Sequence, residues 1–359
     1  MSSSKQFSFT QPGKRKMWLL GPVLFLLIGL AAAAAASLLV PYQAFPDPSL
    51  VVIERGSSVR RIGEQLAEQG ILRWSWQLQL ARVVGMNRTL QAGEYRFSHA
   101  ATPLQILDRL ARGDVYYREL RIPEGYNMFE IAKAVSEAGL GPAEDFLKVA
   151  RNPAPIRDLA PQAPSLEGFL FPSTYHVSRS TTPQTLAAQM VSQFRREWTA
   201  LQTKEDVLSV VTLASLVEKE TSIPDERPLV AGVYAQRLRA GMKLDADPTT
   251  AYAALLAGTW RGTIYRSDLD RDHPYNTYRV IGLPPGPIAN PGLASLRAAL
   301  KPVETTSLFF VAKPDGSGGH IFSKDLNSHT RAVAAYRREQ QKTNAPAVAP
   351  GPAKSGTPR

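Results

Sequence analysis

Apolar residues recur along the chain at two different periods, and this alternation predicts an α+β fold. The first such unit is a strand, LVVIER in residues 50–55, followed by a Gly-Ser turn and a helix. The apolar face of that helix is formed by Val59, Ile62, Leu66 and Ile71. The same order of strand, turn and short helix returns in residues 90–112 and again in residues 120–135. These units predict a small α+β subdomain in front of a larger mixed α+β domain.

An uncharged apolar run precedes these units. From Trp18 to Val40 it covers about 23 residues, which at about 1.5 Å per residue can cross a hydrocarbon core of about 30 Å. The alanines of residues 31–36 would also suit a cleaved signal peptide, but the run continues past them, which favours an uncleaved anchor. We therefore expect a single transmembrane helix in residues 17–41, in contact with inner membrane lipid.

The charges beside this run predict its orientation. Lys14, Arg15 and Lys16 precede it, whereas acidic residues are among the first charges after it. Because cytoplasmic flanks are enriched in Lys and Arg, residues 1–16 should be cytoplasmic and the rest of the chain periplasmic. The chemistry of the periplasmic part must then use a substrate found outside the inner membrane.

Composition excludes several function classes. The net charge is +11, but the basic residues are spread along the chain, and no nucleic-acid-binding motif accompanies them. The chain has no cysteine, so thiol catalysis, thiolate metal sites and disulfides are excluded. The histidines occur singly, without a metal-binding spacing, at His99, His176, His273, His320 and His329. We expect no cofactor, no metal and no nucleic-acid partner.

A predicted helix in residues 206–220 ends in two glutamates. Asp206 is its expected N-cap, and Pro224 prevents its continuation. Its apolar stripe consists of Val210, Leu213, Leu216 and Val217. At about 100° per residue, Glu220 continues this stripe, whereas Glu218 lies about 200° away from it. The two carboxylates therefore cannot act as a pair on one face of the helix.

Burial against the stripe predicts a raised pKa for Glu220, because burial and the helix C-terminus both disfavour the charged carboxylate. A carboxylic acid that stays protonated near neutral pH is the group that cleaves glycosidic bonds by general acid catalysis. A solvated or salt-bridged glutamate is the ordinary alternative, and spacing alone leaves both open.

Further candidates follow this helix. Asp225 should cap a second helix, and Glu226 or Arg227 could anchor Glu218 across the turn. Residues 308–323, LFFVAKPDGSGGHIFS, predict a hairpin. Polar and rigid residues suited to a sugar cleft come from residues 242–252 and 273–292, and they are Asp245, Asp247, Tyr275, Asn276, Tyr278, Pro285 and Gly286.

Six ordered blocks resemble the MltG (YceG-like) family of endolytic lytic transglycosylases of bacterial peptidoglycan. They are LEGFLFPSTY, ASLVEKET, DERPLVAGVYAQRL, DADPTTAY, YNTYRVIGLPPGPIANPG and GGHIFS. The resemblance implies a YceG-like catalytic domain in residues 118–340. The strand, turn and helix units of residues 42–117 resemble a LysM-like subdomain, with a plain α+β packing domain as the alternative. The low-complexity composition, rich in Pro, Ala and Lys, predicts a disordered tail in residues 341–359. One departure is Asp245, which stands where the family often has glutamine.

The resemblance also implies an activity. Such an enzyme cuts the β-1,4 bond between MurNAc and GlcNAc within nascent strands, leaves 1,6-anhydroMurNAc ends and terminates elongation beside peptidoglycan synthases. The family's catalytic glutamate precedes threonine in EKET, which implies Glu220. Glu218, Glu226 and Arg227 would then support the site, and the seven polar and rigid residues above would line the cleft.

Two other functions remain open at this point. The chain could be a non-catalytic peptidoglycan-binding anchor that recruits wall-synthesis enzymes. It could also be a glycoside hydrolase that uses Asp245 or Asp247 as a second carboxylate about 5 to 10 Å from Glu220.

Overall fold

The computed structural model describes residues 15–46 and 48–344, with side chains described from residue 22 to residue 341 of these ranges. The predicted cytoplasmic residues 1–14 and tail residues 345–359 lie outside the described residues. The chain divides into two compact units. The first extends to Arg118 and includes Ser178–Ser180, and the second contains Glu119–Val177 and the residues from Thr181 onward.

The first helix, α1, spans Arg15–Ser37. Among the helices of the described residues, none combines the length and the apolarity needed to cross a membrane. The span expected in residues 17–41 therefore stays a prediction from the sequence.

The first unit builds a small α+β core. Its elements after α1 are β1 (Ser49–Ile53), α2 (Val59–Glu68), α3 (Trp76–Val84), β2 (Gly93–Phe97) and α4 (Pro103–Arg112). Strands β1 and β2 pair antiparallel, with Val51 opposite Tyr95. The predicted stripe of α2 is buried at Ile62 and Leu66, which pack with both strands in one cluster. A LysM-like identity for this unit stays a prediction.

The second unit is larger and mainly helical. It opens with β3 (Arg118–Ile122), whose first residue belongs to the first unit, and continues with α5 (Met128–Glu137), α6 (Ala143–Ala150), β4 (Ser173–Val177), α7 (Pro183–Ala200), α8 (Val207–Glu220) and α9 (Arg227–Arg239). It ends with α10 (Asp247–Leu256), α11 (Arg266–Leu269), α12 (Leu293–Leu300), β5 (Phe309–Ala312), β6 (His320–Ser323) and α13 (Leu326–Asn344). Strand β3 pairs with β4, and β5 pairs antiparallel with β6, which confirms the predicted hairpin. Helix α13 reaches four residues into the predicted disordered tail.

Helix α8 packs against α9, α10 and α12. Asp206 caps it as predicted, because its carboxylate accepts a hydrogen bond from the backbone N of Ser209 at 2.8 Å. Every residue from Val210 to Val217 is buried, so the helix is enclosed on more sides than one apolar stripe predicts. The loop before α12 is fixed to α8, since the backbone N of Ile288 donates to the Ser215 hydroxyl at 3.1 Å.

The start of α9 differs from the prediction. Asp225 was expected to cap this helix, but residues 224–226 form a turn of 3₁₀ helix and α9 begins at Arg227. Pro224 occupies the first position of that turn, where its fixed φ and missing N–H are tolerated. The turn directs Glu226 toward strand β6, as described below.

Candidate active site

The two glutamates at the end of α8 lie in different surroundings. Glu220 accepts a hydrogen bond of 2.6 Å from the Tyr234 hydroxyl of α9. Glu218 instead contacts Arg227 and the backbone of Gly292. The structure therefore separates the two carboxylates, as the helical geometry predicts.

Glu220 is held by a tyrosine that is itself enclosed. Tyr234 is 1% exposed, and its ring packs edge-on against Phe310 of β5 with centroids 5.8 Å apart. Burial, together with the neighbouring Glu220, keeps the pKa of the Tyr234 hydroxyl well above its usual value. Tyr234 therefore stays protonated and donates to one carboxyl oxygen of Glu220, which fixes the orientation of that carboxyl group.

Burial raises the pKa of Glu220 to about 7. The Tyr234 hydrogen bond and the nearby His320 favour the carboxylate and lower this pKa, whereas the negative charge of Asp247 raises it. The prediction of a raised pKa is thus confirmed, with burial as the main cause. At neutral pH, Glu220 is present in both its protonated and its ionised form.

Glu220 lines a cleft of about 570 Å³ in the second unit. Its walls are formed by residues from α8, α9, the start of α10 and the loop before it, the loop before α12, strand β5 and helix α13. They are Glu220, Tyr234, Arg237, Leu244, Asp245, Asp247, Tyr278, Phe309, Phe310, Val311, Leu326, His329, Val333 and Arg337. The cleft therefore combines one titrating carboxyl group with aromatic surface and several charged groups.

Three of the predicted substrate-binding residues lie in this cleft. Asp247 accepts a hydrogen bond of 2.7 Å from the Tyr278 hydroxyl. Asp245 forms an ion pair of 3.1 Å with Arg237, and it adopts a left-handed backbone conformation with φ of 49°. The structure thus brings Asp245, Asp247 and Tyr278 together with Glu220.

The remaining four predicted substrate-binding residues lie outside the residues that line the cleft. Asn276 is fully buried, and its amide nitrogen donates to three backbone carbonyls while its oxygen accepts from Thr250 and from the backbone N of Tyr278. Its hydrogen-bonding groups are engaged within the protein, and a contact between Asn276 and a sugar stays a prediction from the sequence. Asn276 fixes the loop that carries Tyr278.

The other three residues lie on either side of Asn276 along the chain. Tyr275 is buried and packs against Tyr252, with ring centroids 5.2 Å apart. A side chain at Gly286 would press on Pro164 and on the Tyr275 hydroxyl, so glycine permits this close packing. Pro285 is exposed beside it.

Glu218 and Arg227 form a buried ion pair behind the site. Arg227 Nη2 lies 3.2 Å from Glu218 Oε1, and the backbone N of Gly292 donates to Glu218 Oε2 at 3.0 Å. Glu218 and Arg227 are nearly enclosed, with side chains 6% and 11% exposed. This pair joins the end of α8 to the start of α9 and to the loop before α12.

Glu226 contacts strand β6 and not Glu218. Its carboxylate accepts the backbone N of His320 at 2.8 Å and lies 2.7 Å from His320 Nδ1. Burial opposes the charged form, but the hydrogen bonds from His320 outweigh it and hold the pKa of Glu226 below its usual value. Within the part of the chain that the structure describes, no group of three or more His, Asp or Glu side chains could hold a metal ion.

Comparison with known proteins places the chain in a family. The sequence pattern of the YceG-like family matches residues 51–335, which is most of the chain. The chain belongs to the YceG-like family. This YceG-like protein is similar to the endolytic murein transglycosylase of Bacillus subtilis (strain 168), with 31% identity over 333 residues, 87% of this chain and 91% of that relative.

Two further relatives agree with this assignment. The endolytic murein transglycosylase of Streptococcus pneumoniae (serotype 2, strain D39) is 29% identical over 321 residues, 80% of this chain. The YceG-like chain spans 58% of the length of that relative. The crystal structure of a YceG-like protein from Listeria monocytogenes is 30% identical, covers 79% of this chain and 99% of its own, and superposes with a TM-score of 0.51. The mixed α+β fold is therefore shared with a solved YceG-like structure.

Sequence reasoning missed two groups of the YceG-like site. Tyr234 lies in the second predicted helix without an assigned role, although a buried tyrosine hydroxyl needs a hydrogen-bond partner and so signals a polar neighbour. Helix α13 was assigned no role, yet Leu326, His329, Val333 and Arg337 line the cleft. Their spacing along one helix face was visible in the sequence, but nothing local indicates what that face adjoins.

Proposed function

We propose that this protein is a lytic transglycosylase that cleaves peptidoglycan within its glycan strands. The observation that carries the proposal is Glu220, a carboxyl group whose pKa burial raises to about 7 and which lines a large cleft. The names and the similarity of the YceG-like relatives support the same activity. The proposed bond is the β-1,4 linkage between MurNAc and GlcNAc, and the proposed product end is 1,6-anhydroMurNAc.

Glu220 acts first as an acid in the proposed mechanism. The protonated carboxyl group donates its proton to the glycosidic oxygen, and the bond from that oxygen to C1 of MurNAc breaks as the GlcNAc-side hydroxyl leaves. Tyr234 binds one carboxyl oxygen, and among the described residues the other has no hydrogen-bond partner. That second oxygen is therefore available to carry the proton into the cleft.

Glu220 then acts as a base. The carboxylate accepts the proton of the 6-hydroxyl of the same MurNAc residue, and the bond from O6 to C1 forms. The proton returns to Glu220, so the step consumes no water and needs no second carboxylate. A pKa near the working pH suits a group that must both donate and accept a proton.

The proposal also assigns a cellular role. An anchor in residues 17–41 would hold the enzyme beside nascent strands and their synthases, where internal cleavage would terminate elongation. The uncharged run of the sequence supports the anchor, and the word endolytic in the names of the relatives supports internal cleavage.

The test is to incubate the full chain with uncrosslinked glycan strands and to identify the product ends by mass spectrometry. We expect anhydro ends from the wild type, and a loss of roughly 10² to 10⁴ in kcat for Glu220→Gln, the range attributed to general acid–base catalysis. Glu205→Gln is the matched control, because Glu205 is exposed before the same helix and should keep full activity.

Each alternative predicts another outcome. A non-catalytic anchor would bind strands without releasing product, and Glu220→Gln would behave as the wild type. A hydrolase is favoured by one observation, since Asp247 lines the same cleft and its charge acts on Glu220. Hydrolysis would yield reducing ends and would depend on Asp247.

A further inference from the structure

Helix α13 forms one wall of the Glu220 cleft. Four of its residues line the cleft at spacings of three and four, and they are Leu326, His329, Val333 and Arg337. Residues at these spacings share one face of an α-helix. The wall therefore runs along about three turns, from an apolar end at Leu326 to a cationic end at Arg337.

The inner part of this wall carries little net charge. The His329 ring stacks on Phe309, with centroids 5.1 Å apart, and burial and the nearby Arg237 lower the pKa of His329. His329 is therefore neutral at neutral pH. The Arg237 guanidinium lies over the same Phe309 ring, 5.1 Å from its centroid.

The charges of the opposite wall are already engaged. Arg237 donates to three backbone carbonyls and pairs with Asp245 at 3.1 Å. Asp247 accepts the Tyr278 hydroxyl. Arg237 is thus paired with Asp245, and its Nε and Nη1 donors are occupied within the protein.

Arg337 differs from every other cationic group of the cleft. It is exposed, and within the described part of the chain it has neither an ion pair nor a hydrogen bond. A guanidinium presents a planar fork of donors that fits a carboxylate in a bidentate manner. The cleft therefore offers one unpaired site for an anion, at the end of the α13 wall.

We propose that Arg337 is a specificity-determining residue that binds a carboxylate carried by a MurNAc residue of the strand in the cleft. This inference rests on the proposed function, because it assumes a peptidoglycan strand as the occupant. Two sources could supply the carboxylate, namely the lactyl group of a MurNAc that lacks a stem peptide and the stem peptide itself. Arg337 would then select strands by the substituent that their MurNAc residues carry.

The experiment measures kcat and KM of the full chain on three substrates. They are strands with intact stems, strands whose stems have their carboxylates amidated, and strands stripped of stems so that the lactyl carboxylate is free. For Arg337→Ala we expect KM to rise roughly three to ten times on carboxylate-bearing strands with kcat unchanged, the size of one partly exposed charge-assisted contact. On amidated strands the wild type and Arg337→Ala should share one KM.

Arg338→Ala is the matched control. It removes the same charge from the next residue, whose Nε donates to the carbonyl of Ala334 and which does not line the cleft. Arg337→Lys should have a KM between those of the wild type and Arg337→Ala, because lysine keeps the positive charge but lacks the planar fork of donors. Circular dichroism of each variant reports whether α13 stays folded.

The three substrates also distinguish the two possible sources of the carboxylate. A KM effect on intact strands alone assigns the stem carboxylates, and an effect on stripped strands alone assigns the lactyl carboxylate. Equal KM values for Arg337→Ala and Arg338→Ala on all three substrates would overturn the inference, as would an Arg337→Ala effect that persists on amidated strands.

Binding separates this inference from the proposed function. The dissociation constant of uncleaved strands is measured in a Glu220→Gln background, with and without Arg337→Ala. A weaker binding on loss of Arg337 supports the inference even if the wild type yields no anhydro ends. Unchanged binding together with anhydro products would refute the inference and leave the proposed function intact.

Discussion

Glu167 and Glu220 are two glutamates of the second unit with the same electrostatic signature. Burial raises the pKa of Glu167 to about 8 and that of Glu220 to about 7. Each accepts a hydrogen bond from a tyrosine hydroxyl, from Tyr252 at 2.9 Å and from Tyr234 at 2.6 Å. By pKa alone, either carboxyl group could serve as an acid.

Access separates the two. Glu167 is 1% exposed and accepts hydrogen bonds from the backbone N of Met128, from Tyr252 and from the amide of Asn290, so both of its oxygens are occupied. Glu220 lines a cleft and keeps one oxygen without a partner among the described residues. A raised pKa identifies an acid only when the proton can reach a substrate. Glu167 is instead the centre of a buried network that joins α5, α10 and the loop before α12.

We expect the largest effect from removing the buried carboxyl group of Glu167. Glu167→Ala leaves three buried donors without their acceptor, so we expect the free energy of unfolding to fall by about 3 kcal/mol. Urea unfolding measures the change, and Glu144→Ala, at an exposed ion pair on α6, should cost less than about 1 kcal/mol. The folded fraction should keep its kcat. Normal stability with lost activity would make Glu167 the acid.

Tyr234→Phe should have a smaller effect than Glu167→Ala, and the quantity that it changes is activity. The mutation removes the hydrogen bond that orients Glu220 and lowers its pKa. We expect kcat to fall about tenfold, the size of one lost hydrogen bond. The acid must be protonated, so the rate falls as pH rises through about 7. In Tyr234→Phe the midpoint of this fall should move to higher pH.

Tyr252→Phe is the matched control for that variant. It removes the same hydroxyl from the other glutamate, so it should lower stability and leave the pH profile of kcat in place. An unchanged midpoint in Tyr234→Phe would show that another group sets the alkaline limb.

The sequence predicted the parts of this architecture that depend on local pattern. Local pattern predicted three features that the structure confirms. They are the cap at Asp206, the hairpin in residues 308–323 and the opposite directions of Glu218 and Glu220. The pattern failed where partners come from distant segments. Of the two residues that could anchor Glu218, Arg227 does so, whereas Glu226 binds His320, which is 94 residues away. Asn276 is a different case, because carbonyls of its own loop engage its amide. The side-chain chemistry of Asn276 suits a sugar, but contacts within the protein engage it.

The smallest expected effect comes from Asp247→Asn. The charge of Asp247 raises the pKa of Glu220, so its removal should lower that pKa and move the alkaline limb of the kcat profile to lower pH, opposite to Tyr234→Phe. One screened charge in an open cleft accounts for about half a pH unit. Asp272→Asn, at an exposed position outside the cleft, should leave the limb in place. If Asp247→Asn instead lowers kcat by about a hundredfold or more, the site has two working carboxylates, and the enzyme is a hydrolase that activates water.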